Sequence, residues 1–170
     1  MLNIYLTNLG KYNEGQLIGE WLELPATDEE IEAVKRRIGI NEYYEEWFIT
    51  DYETDVDGLT VGEYDNLDEL NELAEAVKDD PEAAAALIYW GYNSAEEIAD
   101  NLCNVINIGA PEGFESDEEH VGWYYAEECG CIDIPEHLKS YFDYERYGRD
   151  IMLEGKFYTA ESGDIYELTA

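Results

Sequence analysis

The chain has 170 residues, with 42 Asp and Glu against 9 Lys and Arg, a formal net charge of -33 and a pI of about 4.1. That length allows one ordinary domain or two or three very small ones. The charge argues against direct binding to nucleic acid or an anionic membrane, whose phosphates would be repelled, and 15 Tyr, 4 Trp and 4 Phe argue against a disordered acidic tail.

Leu2, Ile4 and Leu6 alternate and predict a first strand, after which Gly10, Asn13 and Gly15 mark a loop. Residues 16–25 read as a second strand ended by Pro25. Thr27 and Glu30 form a T-x-x-E capping box that opens a helix over 28–38, and Gly39 ends it. Aromatic and β-branched residues then predict a third strand over 42–53. Asn66 caps a helix over 67–80, with Leu67, Leu70, Leu73, Ala74 and Val77 at helical spacing. Pro81 suits the first turn of the next helix, over 82–90, which Gly91 closes. Ser94 and Glu97 make a second capping box before residues 98–105, and 105–109 reads as a short strand. Ser116 and Glu119 make a third box before a helix over 120–128. Pro135 starts a helical region over 136–148 with Gly148 as its C-cap, and 155–168 reads as a hairpin turning at Ser162–Gly163.

The expected fold class is α+β, an elongated chain of three small modules. Residues 1–62 would hold a three-stranded antiparallel sheet with a helix, 63–104 an acidic cluster of short helices, and 105–170 a mixed C-terminal module. No apolar run reaches the roughly 18–20 residues of a membrane span, and the N-terminus lacks the pattern of a signal peptide. Cys103, Cys129 and Cys131 are an odd, sparse set, which fits reduced thiols in a cytoplasm.

Catalytic and metal motifs fail on their details. Glu53, Asp55, Asp57 and Gly58 imitate the start of an EF-hand loop, but the twelfth position is Tyr64 instead of Glu. Cys129-x-Cys131 with His120 and His137 lacks the second pair of a structural zinc site. Paired carboxylates are too abundant to single out an acid and a base. No catalytic residue, metal ligand or cofactor is assigned.

Charge density says more than charge sign. Duplex DNA carries one charge per ~1.7 Å of axis, so this chain matches roughly 56 Å of duplex. A compact globule of this length is only about 40 Å across. From Val61 to Leu138 the only basic residue is Lys78, against 21 acids. Acids in first helical turns favour the dipole, which explains some of them locally but not the rest. Such density on a folded surface suggests a mimic of DNA. The candidate phosphate-mimicking acids are Asp28, Glu29, Glu32, Glu45, Glu46, Asp65, Asp68, Glu69, Glu72, Glu75, Asp79, Asp80, Glu96, Glu97, Asp100, Glu115, Asp117, Glu118 and Glu119.

Two stretches are specific: the run from Tyr5 to Trp21, with Asn8, Leu9, Gly10, Lys11, Tyr12, Asn13, Glu14, Gly15, Leu17 and Gly19, and the run Tyr141, Tyr144, Tyr147, Gly148, Arg149, Asp150. With their order and the acidity of the middle, the chain resembles the ArdA antirestriction family of conjugative plasmids and transposons over nearly its whole length. The resemblance implies an elongated homodimer that occupies the DNA-binding groove of a type I restriction–modification enzyme, its methyltransferase and specificity core, without a cofactor. It also places Tyr141, Tyr144, Tyr147, Gly148 and Asp150 in an antirestriction motif at or near the dimer contact. An aromatic stripe at this spacing equally fits internal packing. Two other readings compete: a halophile-type acidic domain, and an acidic inhibitor or chaperone of another basic DNA-binding protein.

Overall fold

Strand β1 (Leu2–Asn8) buries Leu2, Ile4 and Leu6 on one side, as their alternation requires. It is the centre of an antiparallel sheet, between β2 (Gly19–Leu24) and β3 (Trp47–Thr54). Helix α2 (Asp28–Arg37) covers the apolar face with Ile31 and Val34, and Ile38 follows them into the core. This computed structural model describes residues 1–169.

Helix α2 begins at the expected capping box, with Thr27 and Glu30 each accepting from the other's backbone. It ends where Gly39 takes φ +84°, letting Ile40 N donate back to Lys35 O at 3.0 Å. Three helices follow: α3 (Leu67–Val77), α4 (Pro81–Tyr89) and α5 (Ala95–Leu102). Leu67, Leu70 and Ala74 of α3 pack into the core of the first sheet, whereas Leu73 and Val77 join α4 and α5. Ala83–Leu87 are all buried, so α4 is wrapped on several sides, and its small side chains admit close neighbours.

A second antiparallel sheet has the order β4 (Val105–Gly109), β6 (Ile165–Leu168), β5 (Phe157–Thr159). Leu168 packs among the α3–α5 residues, and Tyr166 and Ala160 meet Ala83 and Ala86. The middle helices therefore share cores with both sheets. Beside the second sheet lie α6 (Asp117–Trp123), which runs into a single π turn over Tyr124–Glu128, then a 3₁₀ turn over Glu136–Tyr141, and α7 (Tyr144–Glu154). The fold is α+β as expected. Its accessible surface, 10240 Å², exceeds the about 8500 Å² of a compact monomer of this mass, so the shape departs from a sphere.

Five expectations are corrected, the last of them at Gly148. The loop after β1 begins as a short helix, α1 (Leu9–Asn13), because the Asn8 side chain accepts from Lys11 N at 2.9 Å and caps it. The third strand starts at Trp47, not residue 42, because Asn41 accepts from Tyr43 N at 2.8 Å and folds 41–44 into a turn. Glu119 does not close the third capping box on Ser116; it accepts from Glu115 N at 2.7 Å, while Ser116 accepts from Glu119 N. The region 136–148 is two elements, since Asp143 accepts from Arg146 N and starts α7 afresh.

Gly148 is thus not a C-cap. It lies inside α7, where a Cβ would stand 1.8 Å from the Glu118 carbonyl oxygen; one on Gly122 of α6 would stand 2.0 Å from that of Tyr144. The two glycines let α6 and α7 cross backbone to backbone. Sequence spacing reads a glycine after an aromatic stripe as an ending, and only the crossing helix reveals its use.

Candidate functional site

The candidate acids are built onto helix starts and one helix face. Burial of Leu67, Leu70, Leu73 and Ala74 turns Asp68, Glu69, Glu72 and Glu75 of α3 outward, and all four are exposed. With a rise of 1.5 Å per residue, charges three or four residues apart recur about every 5 Å along the axis. One DNA strand carries a charge per ~3.4 Å. A single helix therefore falls short of a strand's density, and neighbouring helices must supply the remainder.

They do so through three adjoining grooves. The first, between α2 and the start of α3, is lined by Asp28, Glu32, Asp65 and Asp68. The second, between the starts of α3 and α5, is lined by Asp65, Glu69, Glu72 and Glu96. Glu72 and Glu75 line the third, beside Pro25, Thr27 and Asn71. Asp65 belongs to the first two grooves and Glu72 to the last two, so one acidic band runs across α2, α3 and α5. Asp65 is held in place by Gly62 N, which donates to its carboxylate at 2.7 Å.

Asn71 fixes the spacing of this band. Its Nδ2 donates to Ala26 O at 3.0 Å and its Oδ1 accepts from Ala26 N at 2.6 Å, so α3 is clamped to the segment that leads into α2. Sequence reasoning missed it. The available signal was an amide adjoining the apolar stripe of α3, next to Leu70 and one turn from Leu67 and Ala74.

The remaining candidates spread beyond the band. Glu29 is exposed in the first turn of α2, and Glu45 and Glu46 link the 41–44 turn to β3, where Glu46 O accepts from Leu9 N. Asp79 and Asp80 join α3 to α4, and Asp80 caps α4 by accepting from Ala83 N at 2.9 Å. Glu97 closes a reciprocal box with Ser94, and Asp100 is exposed on α5. Glu115 is exposed ahead of α6, whereas Asp117, Glu118 and Glu119 are half-buried; Asp117 accepts from the Thr159 hydroxyl at 3.0 Å. Among the described residues, Asp28, Glu29, Asp68, Glu69, Glu72 and Glu96 carry no side-chain ion pair, and only eight of the 42 acidic side chains do.

The C-terminal motif divides. Tyr144 and Tyr147 pack edge to face on Phe142, with ring centroids 4.9 and 5.6 Å apart, and Gly148 is buried at the helix crossing. Tyr141 is 85% exposed, and Leu138, one 3₁₀ turn earlier, shares its face and is exposed too. Asp150 is exposed on α7. The thiols of Cys103, Cys129 and Cys131 are exposed, while His120 is buried and stacked on Phe114 at 4.7 Å.

A clasp holds this motif to α6's continuation. Glu127, from the π turn, accepts from Lys139 Nζ at 2.6 Å and from the Tyr144 hydroxyl at 2.6 Å. The Lys139 hydrogen bond, then that of Tyr144, hold the Glu127 carboxyl below its usual range; burial, followed by the Glu127 bond, pushes the Tyr144 phenol up to about 12. Folding thus favours ionised Glu127. The stability this adds is present above the ordinary glutamate value and is lost as pH falls below about 4.3. Urea titrations of the wild type and Glu127→Gln should differ at neutral pH and converge on acidification. A constant difference across that range would mean that the clasp does not depend on ionised Glu127.

A family model described as Antirestriction protein (ArdA) matches residues 4–166. No curated protein matches the chain.

Proposed function

We propose, from the premise that this chain belongs to the ArdA antirestriction family, that it is an acidic mimic of DNA that fills the DNA-binding groove of a type I restriction–modification enzyme. The observation that carries the reading is the band of exposed, mostly unpaired carboxylates across α2, α3 and α5. A groove that neutralises phosphates presents Lys and Arg, and carboxylates on a rigid scaffold can take the same partners and release the anions held there. Opposite fields of this size also steer the encounter and speed association.

The protein acts as a homodimer in the cytoplasm, joined through its C-terminal module, with residues 1–62, 63–104 and 105–170 as its three modules. Exposed Leu138 and Tyr141 supply an apolar surface for the dimer contact, with Tyr144, Tyr147 and Gly148 shaping the elements behind it. Two chains together carry the charge of roughly 110 Å of duplex, about 33 base pairs. That is the length scale of a long bipartite target.

Inhibition by occupancy is stoichiometric. Cleavage by a purified type I enzyme should fall in proportion to added protein and level off once the enzyme is saturated. Prior incubation of the inhibitor with EDTA, removed before the assay, should change nothing. Inhibition at far below one dimer per enzyme would indicate turnover and contradict the reading.

A further inference from the structure

The face of the first sheet turned away from α2 sets aromatic rings and carboxylates side by side. Register places Trp21, Tyr5 and Asp51 in one row across β2, β1 and β3, with Glu23, Asn3 and Glu53 in the next row toward one end of the sheet. Gly19 makes room for the Tyr5 ring, since a Cβ there would stand 2.5 Å from it, and the Tyr5 hydroxyl donates to Gly19 O at 3.0 Å. The Tyr5 and Trp21 rings meet edge to face at 5.2 Å, and Tyr12 meets Phe48 in the same way at 5.2 Å. These rings, with Leu17, Asp51 and Glu63, line one groove. Trp21 is 42% exposed and Leu17 83%, so the β2 side of this groove is open, whereas Phe48 is buried between Tyr12 and Tyr64.

Aromatic faces beside unpaired carboxylates select a cation, and a planar one best. The chain holds its own lysine in this way nearby: Lys11 Nζ lies 4.1 Å from the centre of the Tyr44 ring and 3.1 Å from Glu14. On the open sheet face, by contrast, Asp51 and Glu63 make no ion pair among the described residues. We propose that this face binds an arginine-bearing segment of a protein partner, its guanidinium stacked on Trp21, which Tyr5 holds edge to face, and paired with Asp51 or Glu63. Guanidinium is weakly hydrated, flat and forked, and so suits rings and carboxylates together better than an ammonium does. The proposal rests on the reading above only in taking the segment from a basic DNA-binding protein, and it adds a contact that phosphate mimicry does not use.

The test needs no restriction enzyme, so its failure is separate from failure of inhibition. A short peptide with two arginines among glycines and serines is titrated into the isotopically labelled full chain, in salt high enough to screen general surface charge. A lysine peptide of equal charge serves as the control. Amide shifts should map to β1, β2 and β3 around Tyr5, Trp21 and Asp51, and the lysine peptide should bind more weakly. Trp21→Leu should weaken arginine-peptide binding roughly two- to fivefold, as loss of one exposed cation–π contact implies. Asp51→Asn, which leaves the rings in place, should weaken it as well. Equal binding of both peptides, shifts centred on α3 and α5, or unchanged binding by both variants would overturn the proposal. A change of oligomeric state in Trp21→Leu would assign the face to a second copy and overturn it too.

Discussion

Gly148→Val should destabilise the protein by about 1–3 kcal/mol or more and unfold the pairing of α6 with α7. A Cβ at this position meets the Glu118 carbonyl oxygen at 1.8 Å and the Gly122 nitrogen at 2.5 Å. Both are backbone atoms of a helix that cannot yield as a flexible side chain would. Replacing a mid-helix glycine by valine gains only about 0.3–0.5 kcal/mol of helix propensity, whereas forcing packed elements apart costs about 1–3 kcal/mol or more. Valine adds two methyl groups beyond that Cβ, so the steric cost wins. Against a total stability of about 5–15 kcal/mol the loss is large. Urea denaturation would show it as a lower midpoint, and a Gly122→Val protein should behave alike because the contact is mutual. A midpoint equal to wild type in both would contradict the crossing. Loss of inhibition in such variants then reports a displaced α7, with no need for the glycine itself to touch the enzyme.

The second large effect is on inhibition. Changing Asp65, Asp68, Glu69, Glu72 and Glu75 together to their amides should weaken binding to the enzyme several-fold to a few hundredfold. Each exposed pair with a Lys or Arg is worth about 0.2–1 kcal/mol, and because these acids are neighbours on and just before α3 their terms sum to less than five independent ones. Glu72→Gln or Glu118→Gln alone should therefore change inhibition only slightly. Stability of the fivefold variant should stay within about 1 kcal/mol of wild type. Relief of like-charge pairs such as Asp68–Glu72 and Glu72–Glu75 stabilises by tenths of a kcal/mol each, and losing first-turn acids costs a similar amount. Asn at position 65 keeps an acceptor for Gly62 N. Dimerisation should be unaffected, because none of the five lies near Leu138 or Tyr141 in the chain. A single carboxylate whose removal abolishes inhibition in a folded protein would point to a localised hot spot instead.

Local chemistry made much of this fold readable. Leu2, Ile4 and Leu6 announce a half-buried strand, Thr27 with Glu30 opens α2, and Ser94 with Glu97 opens α5. Each depends on residues at most four apart. Two kinds of feature escape that reading, one decided by a distant element and one by a side-chain turn that competes with strand propensity. Gly148 looks like a terminator until Glu118 is laid against it, and Asn41 overrides the strand propensity of Tyr43 and Tyr44 with a side-chain turn. The acids were legible as helix-face charges, but not as a band. That grouping depends on Asn71 clamping α3 to Ala26, 45 positions away in sequence. Asp117, Glu118 and Glu119 looked equivalent to the others in sequence, yet they are half-buried against the C-terminal elements.

Competition for one groove tests the central claim most directly. A fluorescent duplex carrying the target site is bound to a purified type I methyltransferase core, and the protein is titrated in. Mimicry predicts complete displacement of the duplex, an inhibitor midpoint that rises in proportion to duplex concentration, and weaker displacement as salt increases. The fivefold amide variant should require correspondingly more protein. A stable complex holding enzyme, duplex and this protein together would contradict the account.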